Sequence, residues 1–220
     1  MKPYLALEIS DSDSERLGGG IWSTIKIYSM WGKMVSANQV KELLAPFGEV
    51  RSQSLSEWRG SIDLPKPVQK FYEEIGPLDI YIRGYGNDFY VPSLAELWSL
   101  QGGYRWNTLS GEPVPDWNTD WLVLVTEGCD PFIVKGQSGT IWFANHGEGE
   151  WNFSEYFSDI NTMVACIAQL GIIAISAGDD LTDEDSIIKE EHFELAELKL
   201  SHILNSQEKA RDAIGLLGWG

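Results

Sequence analysis

Three short apolar segments, which follow one another at intervals of about ten residues, constrain the fold of this chain most strongly. They are Trp121–Val125, Pro131–Lys135 and Thr140–Ala144, and turns that contain glycine separate them. Spacing of this kind with glycine-rich connections is typical of antiparallel strands joined by hairpins. The sequence therefore predicts a β-meander over about residues 121–144.

Helical patterns precede the meander at three places. A helix is predicted from Ser36, because Gln39 stands where it completes a capping box. A second helix is predicted to begin at Leu64-Pro65, since proline suits the first turn, and to end at Gly76. A third, short helix is expected over Leu94–Leu100, capped by the serine that precedes it.

Further elements are predicted on both sides of this region. The spacing of apolar residues predicts a helix over Ser158–Ala168. Two helices are expected in the acidic tail, one capped by Thr182 and the other by Ser206. Near the N-terminus, Tyr4–Ile9 and Ile21–Met30 have the composition of strands.

These elements indicate an α+β fold with a single domain, in which helices flank a twisted antiparallel sheet. The length of 220 residues fits one domain with extensions. We expect residues 1–180 to form the main domain, and residues 181–220 to form an acidic helical extension packed on it.

Acidic residues outnumber basic ones by two to one. The chain has 33 Asp and Glu against 16 Lys and Arg, which gives a formal net charge of −17. Binding to a phosphate backbone requires clustered cations, so nucleic acid is excluded as an expected ligand. A field of this sign attracts a basic protein, but acidity also keeps proteins soluble. Composition alone leaves both interpretations open.

Neither secretion nor membrane insertion is expected. The most apolar stretch, Met163–Ile175, is shorter than the roughly 20 residues that a spanning helix needs. The N-terminal residues do not resemble a secretory signal. Cys129 and Cys166 are too few for a disulfide scaffold and lack metal-ligand spacing. We therefore expect a cytoplasmic protein with reduced thiols.

Strong catalytic signatures do not occur in the sequence. It has no phosphate-binding loop, no dinucleotide fingerprint and no nucleophile elbow. The three histidines and the acidic strings lack the spacing of metal sites, so no metal and no cofactor is expected. Glu127 and Asp130, which Trp residues flank, leave glycoside hydrolysis by paired carboxylates as the weaker alternative.

A structural role is the main expectation for Asp130. Aspartate before a proline favours a turn by bonding nearby backbone. Pro131 is expected to lie outside a central ladder, because proline cannot donate a backbone hydrogen bond.

A set of motifs in a fixed order carries a resemblance. The first is Leu64–Gly76, a helix that starts with Leu-Pro and ends at glycine. The motifs that follow are Gly103–Trp106, Trp117, Asp120–Val125, Glu127–Val134, Gly139–Trp142, His146-Gly147 and the helix Ser158–Ala168. Together they resemble the SMI1/KNR4 family of the SUKH superfamily over about residues 64–170. Lys135 departs from the family pattern, which has an acidic or polar residue there.

The resemblance assigns structural positions in addition to a fold. The residues that carry the family motifs are Leu64, Pro65, Gly76, Trp121, Asp130, Pro131, Phe132, Gly139 and Trp142. The family implies an α+β domain with no catalytic residues. Its bacterial members are largely immunity proteins that bind and block a toxin, often a nuclease, whereas its fungal members are regulatory interaction proteins.

We therefore expect a bacterial immunity protein without catalytic activity, whose partner is a basic toxin domain. The alternative is a regulatory module that binds another kind of protein. Trp121 and Trp142 are predicted to belong to the core, and Trp151 to be an exposed anchor.

The carboxylates expected to meet a partner share one property, which is that no Lys or Arg lies between Lys135 and Lys189 to neutralise them. They are Glu148, Glu150 and Glu155. A second set comprises Asp179, Asp180 and Asp183, for which helix capping competes.

Overall fold

A six-stranded antiparallel sheet forms the centre of the protein, and the strand order follows the chain from β1 to β6. The structure, a computed structural model, describes residues 35–147 and 150–219. The strands are β1 (Ile80–Ile82), β2 (Phe89–Val91), β3 (Trp121–Glu127), β4 (Asp130–Lys135), β5 (Ile141–Phe143) and β6 (Ser154–Phe157). The predicted meander is confirmed as β3 to β5. The N-terminal segments Tyr4–Ile9 and Ile21–Met30 lie outside the described residues.

Five α-helices accompany the sheet in the described part of the chain. They are α1 (Ala37–Leu44), α2 (Lys66–Glu74), α3 (Ile160–Ala177), α4 (Glu190–Leu204) and α5 (Gln207–Leu216). An α+β fold with a helical extension at the C-terminus is therefore confirmed. The capping box at Ser36 and the cap at Ser206 are both present, so these two helices begin where the sequence predicts.

Helix α2 ends at Gly76, as predicted, for a steric reason. Gly76 has φ +63°, in the left-handed region that glycine tolerates best. A Cβ atom at this position would lie 1.8 Å from the carbonyl oxygen of Arg51. The helix is therefore followed by a sharp turn in which a neighbouring backbone passes directly over the glycine.

The prediction of a short helix over Leu94–Leu100 is wrong. The chain there forms successive turns and then a 3₁₀ helix at Ser99–Gln101. Ser93 does not cap a helix, because its hydroxyl donates to Asp79 and its backbone N–H donates to the same carboxylate. The next N–H, of Leu94, donates to the buried side chain of Gln53. Distant side chains thus satisfy the donors that a capped helix would have used.

The predicted start of the first tail helix is also wrong. Helix α4 begins at Glu190 and not after Thr182. Asp183 instead closes a turn, since its carboxylate accepts from the backbone N–H groups of Asp185 and Ile187. Helix α4 packs against α3, and α5 packs against α4. The tail therefore contributes a helical hairpin, as expected.

Two apolar clusters cover the two faces of the sheet. The larger cluster contains Leu122, Phe132 and Ile141 from the strands, together with residues of all five helices. The smaller cluster contains Val123 and Ile133, the neighbours of those residues along the strands. Because successive side chains of a strand point to opposite faces, helices cover one face and loops cover the other.

Helix α3 is longer and more apolar than the sequence suggested. The 21 residues Ile160–Asp180 contain an 18-residue window of mean hydropathy 1.8, so by length and composition the helix is long and apolar enough to span a bilayer. However, 67% of the apolar window is buried inside the domain. A helix that is apolar on all sides is expected at the centre of a large core.

Candidate functional site

The candidate site lies on the sheet face that the helices do not cover. The strand register places Val123, Ile133, Trp142 and Glu155 side by side across β3, β4, β5 and β6. Directly paired residues share one face of a sheet. This row therefore brings an apolar core position, a tryptophan and a carboxylate together on a single surface.

A buried glutamine fixes the loop that covers part of this face. The side-chain amide of Gln101 donates to the carbonyl of Val123 and accepts from its backbone N–H, both at 2.9 Å. Strand β2 pairs only with Thr126 and Glu127 of β3. Beyond the end of β2, Gln101 therefore forms the hydrogen bonds that a neighbouring strand would make to the backbone of Val123. The loop that follows Gln101 is thereby held against the sheet.

Six rings form what we call the aromatic face. They are Tyr104, Trp117, Trp121, Trp142, Trp151 and Phe153. Trp117 is buried at the centre, with ring centroids 5.3 Å from Trp121 and 5.5 Å from Trp151. Phe153 stacks on Trp151 and also meets Trp121 at 4.8 Å. Tyr104 is tied down because its hydroxyl donates to the carbonyl of Cys129.

The predicted core role of Trp121 and Trp142 needs correction. Both are half-buried, and only Trp117 among the tryptophans of the aromatic face is buried. The two side chains lie on the loop-covered sheet face, where the cover is incomplete. Trp151, predicted as an exposed anchor, is half-buried within the same group of rings.

Lys135 places a cation on the aromatic face. Its Nζ lies 3.6 Å from the centre of the Trp142 ring, 5.5 Å from that of Phe153 and 5.7 Å from that of Trp121. These are cation–π distances. Burial lowers the pKa of Lys135, while the charge of Glu155 opposes that shift.

Arg105, a second cation near this face, is also directed inward. Its guanidinium donates to the carbonyl oxygens of Thr119 and Trp121, at 2.6 Å and 2.8 Å. It lies 5.5 Å from the centre of the Trp98 ring. Burial lowers the pKa of Arg105, and the charge of Asp120 opposes this. Both cations are therefore committed to backbone and rings.

Exposed carboxylates border the aromatic face, and none of those described is held in an ion pair. They are Asp116, Asp120, Glu150 and Glu155, which we call the acidic rim, and all four are exposed. None of them forms an ion pair within residues 35–147 and 150–219. Glu150 and Asp116 border an open cleft of about 250 Å³ beside Trp151. Glu148, also predicted to contact a partner, lies outside the described residues.

The acids of the tail differ from those of the rim. Asp180 pairs with Lys189 and lies near His192, while Asp183 accepts backbone hydrogen bonds. Asp180, Glu191 and His192 are close enough together to bind a metal ion. The Lys189 ammonium already neutralises Asp180, however, and the group is largely exposed. This cluster therefore gives no support for a metal site.

The Glu127–Asp130 pair has two distinct environments. Asp130 accepts a hydrogen bond from the backbone N–H of His146, which ties the β3–β4 turn to the loop after β5. Glu127 is half-buried, and burial, followed by the charge of Asp130, raises its pKa to about 7. Its carboxylate lies against Gly218 near the C-terminus.

Pro131 was expected outside a central ladder, and the structure corrects this. It belongs to β4 and pairs with Thr126 of β3. The pairing of β4 with β5 begins only at Phe132, so the position of Pro131 has a paired neighbour on one side alone.

Other residues of the family motifs have ordinary structural roles. Leu64 and Phe132 are buried in the larger cluster, and Pro65 immediately precedes α2. Gly139 lies opposite Pro67 of α2. A Cβ atom at Gly139 would be 3.5 Å from the side chain of Pro67, which is ordinary van der Waals contact.

Sequence reasoning missed the roles of Lys135, Tyr104 and Phe153. A signal was present for Lys135, because it belongs to a strand that was predicted to pair with the strand of Trp121. Alternation along these two strands places Lys135 on the same sheet face as Trp121, Val123 and Ile133. No such signal exists for Phe153, because this residue lies outside the strands.

No family model, curated protein or solved structure matches the chain. The candidate site is therefore defined by its own geometry.

Proposed function

We propose that this chain is a non-catalytic binding protein that recognises a basic protein through the aromatic face and the acidic rim. The observation that carries the proposal is the position of Glu155 directly beside Trp142 in the sheet. Aromatic anchors and exposed carboxylates without an ion pair therefore occupy one surface, which is the arrangement that protein interfaces use.

The aromatic face supplies the anchors of such an interface. Trp121, Trp142 and Trp151 are half-buried, and the buried ring of Trp117 contacts those of Trp121 and Trp151. A ring that is already held by its neighbours loses little conformational freedom when a partner covers it. Tryptophan is also enriched among residues whose truncation costs about 2 kcal/mol or more.

The negative charge of the acidic rim indicates that the partner is positively charged. Its four carboxylates make no close ion pair among the described residues, and the two nearby cations are directed inward. A surface of this kind accelerates association with a basic protein and disfavours acidic ones.

We further propose that the partner is a toxin domain and that the protein acts as an immunity protein in the bacterial cytoplasm. The motifs that resemble the SMI1/KNR4 family support this, and so does the charge. Nuclease toxins are basic because they bind phosphate, so an acidic inhibitor would suit them.

A regulatory module with a different protein partner would use the same surface. The gene neighbourhood separates these two functions, because an adjacent gene for a large toxin with a variable C-terminus favours immunity. The remaining alternative is a glycan-acting enzyme, which the raised pKa of Glu127 beside Asp130 keeps open.

The test is co-purification with the product of the neighbouring toxin-like gene. We expect a stoichiometric complex with the wild type, and a much weaker complex with Trp151→Ala. Hydrolysis of a glycan by the purified protein, abolished in Glu127→Gln, would instead establish the enzyme and contradict the proposal.

A further inference from the structure

Three rings from different parts of the chain surround the ammonium group of Lys135. Trp121 belongs to β3, Trp142 to β5 and Phe153 to the segment before β6. We call these three residues the aromatic cage. Their joint orientation toward one nitrogen shows that the cage accepts a cation.

The cation in the cage comes from the protein itself. Lys135 directly pairs with Trp121 across β3 and β4, and it reaches Trp142 diagonally on the next strand. Because its four-carbon stem is flexible, the ammonium can leave the rings without any change in the backbone.

The surroundings of the cage attract further positive charge. Glu155 lies opposite Trp142, and its charge acts on Lys135. Asp120 precedes Trp121 at the start of β3. Among the described residues, Lys135 and Arg105 are thus the cations at this face, and the four carboxylates of the acidic rim outnumber them.

We propose that the aromatic cage is the pocket for a lysine or arginine side chain of the protein partner, and that Lys135 fills it while the protein is free. This inference rests on the proposed function for the identity of the partner. The chemistry of the cage is independent of it, since rings bind an organic cation through the charge on their faces.

The occupant follows from charge complementarity. An acidic partner would meet the rim unfavourably, and a neutral apolar side chain would gain nothing from Glu155. A basic side chain gains both the ring faces and the carboxylate. Its entry requires only that Lys135 move aside, which also exposes the Lys135 ammonium to solvent.

The first experiment uses choline as the probe and needs no partner. Choline and its neutral carbon analogue 3,3-dimethylbutan-1-ol have the same shape and differ in charge. In Lys135→Met we expect choline, at roughly millimolar concentration, to shift the indole N–H signals of Trp121 and Trp142 in NMR spectra. The neutral analogue should leave them unchanged.

Two variants control this measurement. Lys135→Arg keeps a cation in the cage and should behave like the wild type, with a choline response at least about fivefold weaker than that of Lys135→Met. Adding Trp142→Leu to Lys135→Met should abolish the response, and Trp142→Phe should retain part of it with less disturbance of the fold. Equal shifts with choline and its neutral analogue would overturn the proposal, as would the absence of any choline response in Lys135→Met.

The second experiment uses the co-purified partner. We expect Lys135→Met to bind it roughly fivefold more tightly than the wild type, and this gain should vanish when Trp142→Leu is present. Lys70→Met removes an exposed charge from α2 as a control for net charge. An equal gain in Lys70→Met, or a gain that persists without Trp142, would contradict the cage and leave partner binding intact.

Discussion

Glu155 of β6 lies directly opposite Trp142 of β5 on the sheet face that carries no helices. The pair joins a half-buried aromatic ring to an exposed carboxylate that forms no ion pair among the described residues. Lys135 lies over the same Trp142 ring, so cation, ring and carboxylate occur within one small area.

Trp151→Ala should weaken partner binding mainly by faster dissociation. Trp151 stacks on Phe153 and contacts Trp117, so its removal deletes an anchor of the aromatic face. We expect the dissociation rate constant to rise by roughly 30-fold, with little change in the association rate constant. Surface plasmon resonance measures both. Tyr81→Ala, which removes an exposed ring on β1, is the control and should change neither.

Gly76→Ala should destabilise the protein by about 3 kcal/mol. The alanine would have to adopt a left-handed conformation, and its Cβ would meet the carbonyl of Arg51. Urea unfolding measures the loss. Gly86→Ala is a matched control, because a Cβ atom there meets nothing within 4 Å, and its unfolding free energy should stay near the wild-type value.

Asp130→Ala should cost about 1–2 kcal/mol of stability, since the backbone N–H of His146 loses its charged acceptor. Binding per folded molecule should not change. Asp130→Asn keeps an oxygen acceptor and should recover part of the stability in thermal unfolding. Loss of binding at unchanged thermal stability would show instead that Asp130 contacts the partner.

The stability of the protein should depend on Glu127 between pH 5 and pH 8. Burial raises the pKa of Glu127 from the ordinary glutamate value of 4.5 to about 7, so the folded state binds the proton more tightly than the unfolded state does. Its contribution to stability is therefore complete below about pH 4.5 and is lost as the pH rises through 7. Because the side chain is only half-buried, we expect a loss on the order of 1–2 kcal/mol.

Glu127→Gln lacks this titration. Urea unfolding at pH 5 and pH 8 should therefore show a smaller fall in stability for Glu127→Gln than for the wild type. Glu73→Gln, at an exposed position on α2, should follow the wild type. Identical pH profiles for Glu127→Gln and the wild type would contradict the burial of this carboxyl.

Elements with local signals could be predicted from the sequence. Ser36 and Ser206 cap helices through residues three positions away, and the meander has apolar strands with glycine turns. Strand β6 could not be found in this way, because its residues Ser154, Glu155 and Tyr156 are exposed and only pairing with β5 defines it.

The candidate site depends on contacts that are distant in sequence. Glu150 and Glu155 were selected because no Lys or Arg is near them in sequence, and Trp151 because tryptophan is enriched in interfaces; neither choice needs a structure. The position of Lys135 over Trp142 depends on the register of β4 with β5, and the half-burial of Trp121 and Trp142 depends on how far the loop held by Gln101 extends. Alternation along the strands predicts which face of the sheet a side chain lies on. It does not predict how much of that face a loop buries.

The central claim is that the acidic rim guides a basic partner to the aromatic face. The direct measurement is the association rate constant at low and high ionic strength for the wild type, Glu150→Gln/Glu155→Gln and the control Glu184→Gln/Asp185→Asn, which removes equal charge from the tail. We expect the wild-type rate to fall steeply with salt, since exposed charges are screened within about 8 Å at physiological ionic strength. The rim variant should associate roughly fivefold more slowly at low salt, and the tail control should match the wild type. A rate that does not respond to salt, or that survives neutralisation of Glu150 and Glu155, would mean that the partner binds elsewhere.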